Sequence, residues 1–172
     1  MPGLTSVTLS YDEEWDGDQF ESFIIRSECI LEELALFKSP LSSIDLIQCL
    51  RLNPSLKRVH RGMFEPQPPL GKSVIRAMAS WDYEKKEFSL CPKLEVFSMD
   101  ANALRTGIEP LFASMINRRL LPPEGRATFK KLQILGDNEK ILDRLGDLCD
   151  DSIELTTQSI GPPFRWDAHD YR

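Results

Sequence analysis

The sequence holds 172 residues, with 21 basic and 27 acidic side chains, a formal net charge of −6, and 41% hydrophobic residues. That apolar fraction excludes a long disordered chain and suits one domain with its own core. The negative balance excludes generic phosphate binding, which rests on Lys and Arg neutralising phosphates, so nucleic acid is not an expected partner.

In chain order, the first six residues lack the basic and apolar regions of a signal peptide, and no run approaches the roughly 18 apolar residues of a membrane span. A cytoplasmic or nuclear protein without a membrane partner is the expectation. The first apolar triplet is Leu4, Val7, Leu9, an L-x-x-Φ-x-Φ pattern with Φ apolar. Asp12, Glu14, Asp16 and Gly17 then imitate half of a calcium loop, but the twelfth position is Phe23 instead of a bidentate Glu, which leaves a solvated acidic turn. Phe20, Phe23 and Ile24 share one face of a predicted helix. The triplet returns at Leu31, Leu34, Leu36, followed by a helix pattern at Leu46, Ile47, Leu50, with Asp45 near its start and Asn53 where it should end against Pro54. A third copy, Leu56, Val59, is degraded because Arg61 takes its last position.

After a proline-rich loop at 61–69, Gly71-Lys72-Ser73 resembles the end of a phosphate-binding loop. Pro66 stands where the first glycine belongs, and prolines 66, 68 and 69 remove the amides such a loop needs, so a helix start is expected. Leu70, Val74, Ile75 and Met78 supply that helix. Pro92 precedes the copy Leu94, Phe97, Met99, as Pro2 and Pro54 precede theirs, and each proline reads as a helix-to-strand boundary. Ile108, Leu111, Phe112, Met115 and Ile116 form the next helical stripe. The 117–128 loop leads to Phe129, Leu132, Ile134; Asn138 opens a helix carrying Ile141, Leu142, Leu145 and Leu148; and Ile153-Glu154-Leu155 is a weaker last strand. Gly161-Pro162-Pro163 and a polar tail follow, in which Phe164 and Trp166 either cap the last unit or act as a peptide-like ligand.

The triplet starts lie 27, 25, 38 and 35 residues apart, too irregular for a propeller but suited to strand-helix units with loops of varying length. Strands that return through helices build a parallel sheet. The predicted fold is α/β: a leucine-rich-repeat-like β-α solenoid over 1–156, with one parallel sheet of about five or six strands and helices on the convex side, and a polar C-terminal tail over 157–172. Because the chain opens almost directly on a strand, its first unit would lack a cap, and the sequence reads as a fragment or truncated gene product.

The stretches E-C-I-L-E-E-L-A-L (28–36), D-L-I-Q-C-L-R-L-N-P-S-L-K-R-V (45–59) and L-C-P-K-L-E-V-F-S-M (90–99) resemble the C-terminal leucine-rich region of mushroom-type fungal F-box proteins. The resemblance covers about residues 1–155. It implies a substrate-recognition module of a cullin-RING ubiquitin ligase, whose F-box docks a Skp-type linker while the repeats choose the target. No F-box is present. Leu121-Pro122-Pro123-Glu124 looks like the opening of one, but Gly125-Arg126-Ala127-Thr128 runs straight into the fourth triplet, so a loop is expected there.

The remaining residues point away from catalysis. Four scattered cysteines (29, 49, 91, 149), with only His60 and His169 to join them, form no zinc spacing, and Cys29, Cys49 and Cys149 read as buried hydrophobes. No metal, cofactor or catalytic residue is expected. In each strand the residues between the inward apolar positions point to the other side of the sheet. The candidate partner-binding face is therefore Glu33, Ala35, Arg58, His60, Val96, Ser98, Lys131 and Gln133, with Ser6 and Thr8 on the first strand. Charges alternate from strand to strand: Glu32 and Glu33, Lys57 and Arg58, Glu95, then Lys130 and Lys131. This alternation predicts cross-strand pairs such as Glu33 with Arg58, or a mixed-charge surface for a target. The expected function is a non-catalytic protein-protein interaction scaffold with a protein target, and a Skp-type linker only if an F-box lies upstream. The alternative is a small α/β enzyme with its site at the C-terminal ends of the strands.

Overall fold

The computed structural model describes residues 3–10, 15–37, 41–62, 69–100, 103–104, 107–125, 127–135, 139–147 and 154–158. The chain is α/β, with a parallel sheet backed by helices. Its elements in order are β1 (Ser6–Ser10), α1 (Gly17–Ser27), β2 (Glu33–Phe37), α2 (Ser43–Arg51), β3 (Arg58–Arg61), α3 (Lys72–Ala79), β4 (Trp81–Asp82), β5 (Glu87–Phe88), β6 (Val96–Asp100), α4 (Glu109–Leu120), β7 (Lys131–Leu135), α5 (Glu139–Gly146) and β8 (Glu154–Gln158).

Six strands form one sheet in the order β1-β2-β3-β6-β7-β8, every neighbouring pair parallel. The register follows the triplets. Val7, Leu34, Val59, Phe97, Leu132 and Leu155 form one row across the sheet, and Leu9, Leu36, Arg61, Met99, Ile134 and Thr157 form another. One backbone motif recurs at each step. The carbonyl of Thr5 accepts from the amides of Glu32 and Glu33, that of Glu32 from Lys57 and Arg58, that of Lys57 from Glu95 and Val96, and that of Glu95 from Lys130 and Lys131, all at 2.8 to 3.1 Å. Repeated spacing in the sequence thus becomes repeated geometry in the backbone.

The inward row packs with the apolar stripes of the helices in one core, including Phe20 and Ile24 of α1, Leu46 and Leu50 of α2, Ile75 and Met78 of α3, and Phe112 and Ile116 of α4. Helix starts obey local chemistry. Asp16 caps α1 by accepting from the Gln19 amide at 2.9 Å. Ser42 caps α2 in a reciprocal box with Asp45, which is therefore the third helical residue and not the cap. Asn53 is buried just past α2 and donates Nδ2–H to the Cys49 carbonyl at 2.8 Å. Gly71 precedes α3 directly, and a Cβ there would lie 2.2 Å from Ser43 Oγ, so close packing between helix starts explains this glycine without any phosphate. Leu121–Gly125 is irregular, as the loop reading expected, but α4 runs on to Leu120, so the loop starts at Leu121 and not at 117.

Several expectations need correction. Pro92 does not follow a helix: an antiparallel hairpin, β4-β5, intervenes, closed by Trp81 edge-on to Phe88 with ring centroids 4.9 Å apart. Its short strands carry no repeat signal. Phe23 is exposed instead of sharing the buried face of α1, and Leu4 is 46% exposed, whereas the equivalent Leu31, Leu56, Leu94 and Phe129 are at most 3% exposed. Arg61 lies buried in the inward apolar row, where loss of hydration lowers its guanidinium pKa to about 10. The last strand begins at Glu154 and continues to Gln158. Asp12, Glu14, Asn138, Leu148, Cys149, His169 and the tail beyond 158, with Phe164 and Trp166, lie outside the described residues. No described helix is long and apolar enough to cross a membrane.

Candidate interaction surface

The eight candidate residues come together as two rows on the face of the sheet opposite the helices. Glu33, Arg58, Val96 and Lys131 align in one row, which continues to Glu154, and Ala35, His60, Ser98 and Gln133 align in the next, which continues to Thr156. Strand alternation alone puts them there, because the two candidate residues of each strand, one from each row, stand two positions apart.

The charged row is paired across strands. Arg58 Nη2 lies 2.8 Å from Glu33 Oε2, and Lys131 Nζ lies 2.6 Å from Glu154 Oε1. Beside them, Lys57 Nζ meets Glu32 Oε1 at 2.7 Å, and Lys130 Nζ meets Glu95 Oε2 at 2.9 Å. The Lys57 ammonium, by hydrogen bond and by charge, lowers the Glu32 pKa. Such exposed pairs contribute only tenths of a kcal/mol each, so they align neighbouring strands more than they stabilise the fold.

The second row is a hydrogen-bonded line. Ser98 Oγ donates to Gln133 Oε1 at 2.7 Å and lies 2.9 Å from His60 Nδ1, while His60 Nε2 lies 3.4 Å from Glu33 Oε1. With its hydroxyl proton committed to Gln133, Ser98 accepts from a protonated Nδ1. The neutral imidazole then turns a lone pair toward Glu33, and only the imidazolium satisfies both neighbours. Burial nevertheless outweighs Glu33 and lowers the His60 pKa. The neutral ring is thus the resting form near pH 7.

Burial divides the candidate residues by role. Ser98 is fully buried and Ala35 nearly so, which makes them floor and support, whereas Arg58 is exposed and Glu33, His60, Val96, Lys131 and Gln133 are half-buried. Sequence alternation finds the row but not its depth. A third row, absent from the sequence reading, lies toward the C-terminal ends of the strands. A Cβ on Gly62 would come 3.0 Å from Leu135 Cδ1 and 3.4 Å from Phe37 Cε1, so these two half-buried apolar side chains both reach over the glycine. The signal was available, since Phe37 and Leu135 stand two positions beyond Ala35 and Gln133, but the triplet pattern ends before them.

Two other clusters serve the fold. Arg119, fully buried on α4, donates Nε–H to the Met78 carbonyl at 2.9 Å, Nη1–H to the Cys91 carbonyl at 3.0 Å and Nη2–H to the Leu90 carbonyl, and its guanidinium lies 4.5 Å from the centre of the Phe88 ring. It ties the hairpin to α3 and α4. Glu109 at the start of α4 accepts from the Gly107 amide and from Arg144 Nη1 of α5 at 2.9 Å; backbone hydrogen bonds lead in lowering its pKa. Cys49 and Cys91 are free and buried, and burial pushes both thiols up to about 12, so neither is an activated nucleophile. Among the described residues no group of three or more His, Cys, Asp or Glu is placed to hold a metal ion.

No family model matches the chain, and comparisons with curated proteins and with solved structures find no match either.

Proposed function

We propose that the chain is a non-catalytic protein-protein interaction scaffold, a leucine-rich-repeat-like β-α solenoid that presents the helix-free face of its sheet to a protein target. The observation that carries this reading is the in-register row of side chains supplied by equivalent positions of consecutive strand-helix units. A rigid, laterally extended surface of this kind suits recognition of a protein better than enclosure of a small substrate. The leucine-rich resemblance narrows the role to the target-choosing part of an F-box-type ubiquitin ligase subunit, in the cytoplasm or nucleus.

The test compares the wild-type chain with Arg58→Glu/Lys131→Glu in quantitative affinity capture from cells, after circular dichroism has shown both to be folded. The reading predicts a discrete set of bound proteins that the double variant loses. An identical set for both proteins would contradict it. The ubiquitin assignment is tested separately: an N-terminally extended form carrying an F-box should bind the Skp-type linker, and the 172-residue chain should not. Failure of the extended form removes that assignment and leaves the scaffold.

The enzyme alternative places its chemistry after the strands, in segments that fall largely at 38–40, 63–68, 101–102 and 136–138, outside the described residues. No described observation favours it.

A further inference from the structure

The two flanks of α1 differ. On one, α1 faces α2. On the other, Asp18, Gln19, Phe23, Arg26 and Ser27 line an open groove, and the sheet ends on this side too, since β1 is its terminal strand among the described residues. The Thr5 carbonyl accepts from the Glu32 and Glu33 amides. By strand alternation, Thr5, Val7 and Leu9 bond toward β2, and Ser6, Thr8 and Ser10 turn their N–H and C=O groups outward. Protein sheets ordinarily protect such an edge with a lysine, a proline, an inward charge or a bulge. The sequence Ser-Val-Thr-Leu-Ser has no charge or proline, and its register with β2 runs without a slip. At the opposite end β8 opens on the charged Glu154.

We propose that this end of the molecule binds a second copy of the chain, the two β1 strands pairing antiparallel about a two-fold axis through Thr8. Self-complementarity argues for that occupant. In this register Ser6 stands opposite the partner's Ser10 and Thr8 opposite the partner's Thr8, and these are the residues whose backbone groups point outward. Val7 meets the partner's Leu9 on the helix side. The rotation also reverses α1, whose exposed flank is acidic at its start, apolar at its middle and basic in its last turn. Arg26 then faces the partner's Asp18, and Phe23 faces the partner's Phe23. Closed two-fold pairing is the commonest route to a soluble oligomer. The edge adjoins the helix-free face, since Ser6 and Thr8 stand in its two rows, but the pairing runs through the outward backbone groups of β1 and does not depend on that face's function.

Sedimentation equilibrium of the full chain, from about 1 to about 200 micromolar, tests the proposal. The wild type should show a reversible monomer-dimer equilibrium. Thr8→Lys, at an exposed position, should keep its circular dichroism and unfolding midpoint while weakening the dimer about a hundredfold, because two like charges meet on the axis. Arg26→Glu should weaken it about tenfold, and Asp18→Lys/Arg26→Glu should recover most of that loss. Glu154→Lys, on the other edge, breaks the ion pair with Lys131 but should leave the dimer constant unchanged. A chain that stays monomeric throughout, a dimer indifferent to Thr8→Lys, or one abolished by Glu154→Lys through head-to-tail stacking would each overturn the proposal.

Discussion

The first unit and the interior units share one apolar pattern but meet different fates. Leu4 and Leu31 hold equivalent positions, yet one is 46% exposed and the other 1%. The residue type is the same; the neighbours differ. Burial in a row of strand-helix units is supplied from both sides, and a unit covered on one side keeps only part of it. The interior also has a tether the first unit lacks, the Arg119 clamp between α4, α3 and the hairpin.

Breaking that tether should have the largest effect. Arg119→Met strands three carbonyl acceptors in a buried site and should cost about 3 to 5 kcal/mol, read as a lower urea midpoint. A loss below about 1 kcal/mol would show that the clamp is incidental. The comparison itself is sharpened by a pair of truncations. Leu31→Ala, at a fully buried position, should cost about 2 to 5 kcal/mol, and Leu4→Ala less than about 1 kcal/mol. Equal costs would mean that the first unit is as well covered as the second. Arg144→Ala should cost about 1 kcal/mol, because Glu109 keeps its backbone partners when the guanidinium is removed.

The smallest effect concerns pH. His60 has a folded-state pKa below its ordinary 6.5, so the unfolded chain binds the proton first as pH falls. Its contribution is therefore constant above that value, and stability declines as pH drops from about 6.5 toward the folded pKa. His60→Asn should flatten this part of the stability profile relative to wild type. An unchanged difference between the two proteins across that window would remove His60 as its cause.

What the sequence made legible was whatever repeats. The inward rows, the parallel order, the helices between strands and the Glu33–Arg58 pair all follow from the triplet spacing, because one side chain per position suffices to fix strand phase and register. The hairpin escaped notice because two-residue strands have no period to detect. The burial of Arg61 breaks the pattern outright, so sequence reads it as a defect where the structure accommodates a cation in the core row. On the candidate face, the rows were legible and their depth was not: Ser98 and Arg58 have the same alternation phase, and only the packing of neighbouring strands submerges one and leaves the other in solvent.

Residue-resolved native-state hydrogen exchange, at concentrations where the chain is monomeric, tests the underlying claim of a row of units coupled to their neighbours. The account predicts protection highest in β3 and β6 and falling toward β1 and β8, with the Ser6, Thr8 and Ser10 amides exchanging first. Uniform protection across all six strands, collapsing in one global step, would contradict it.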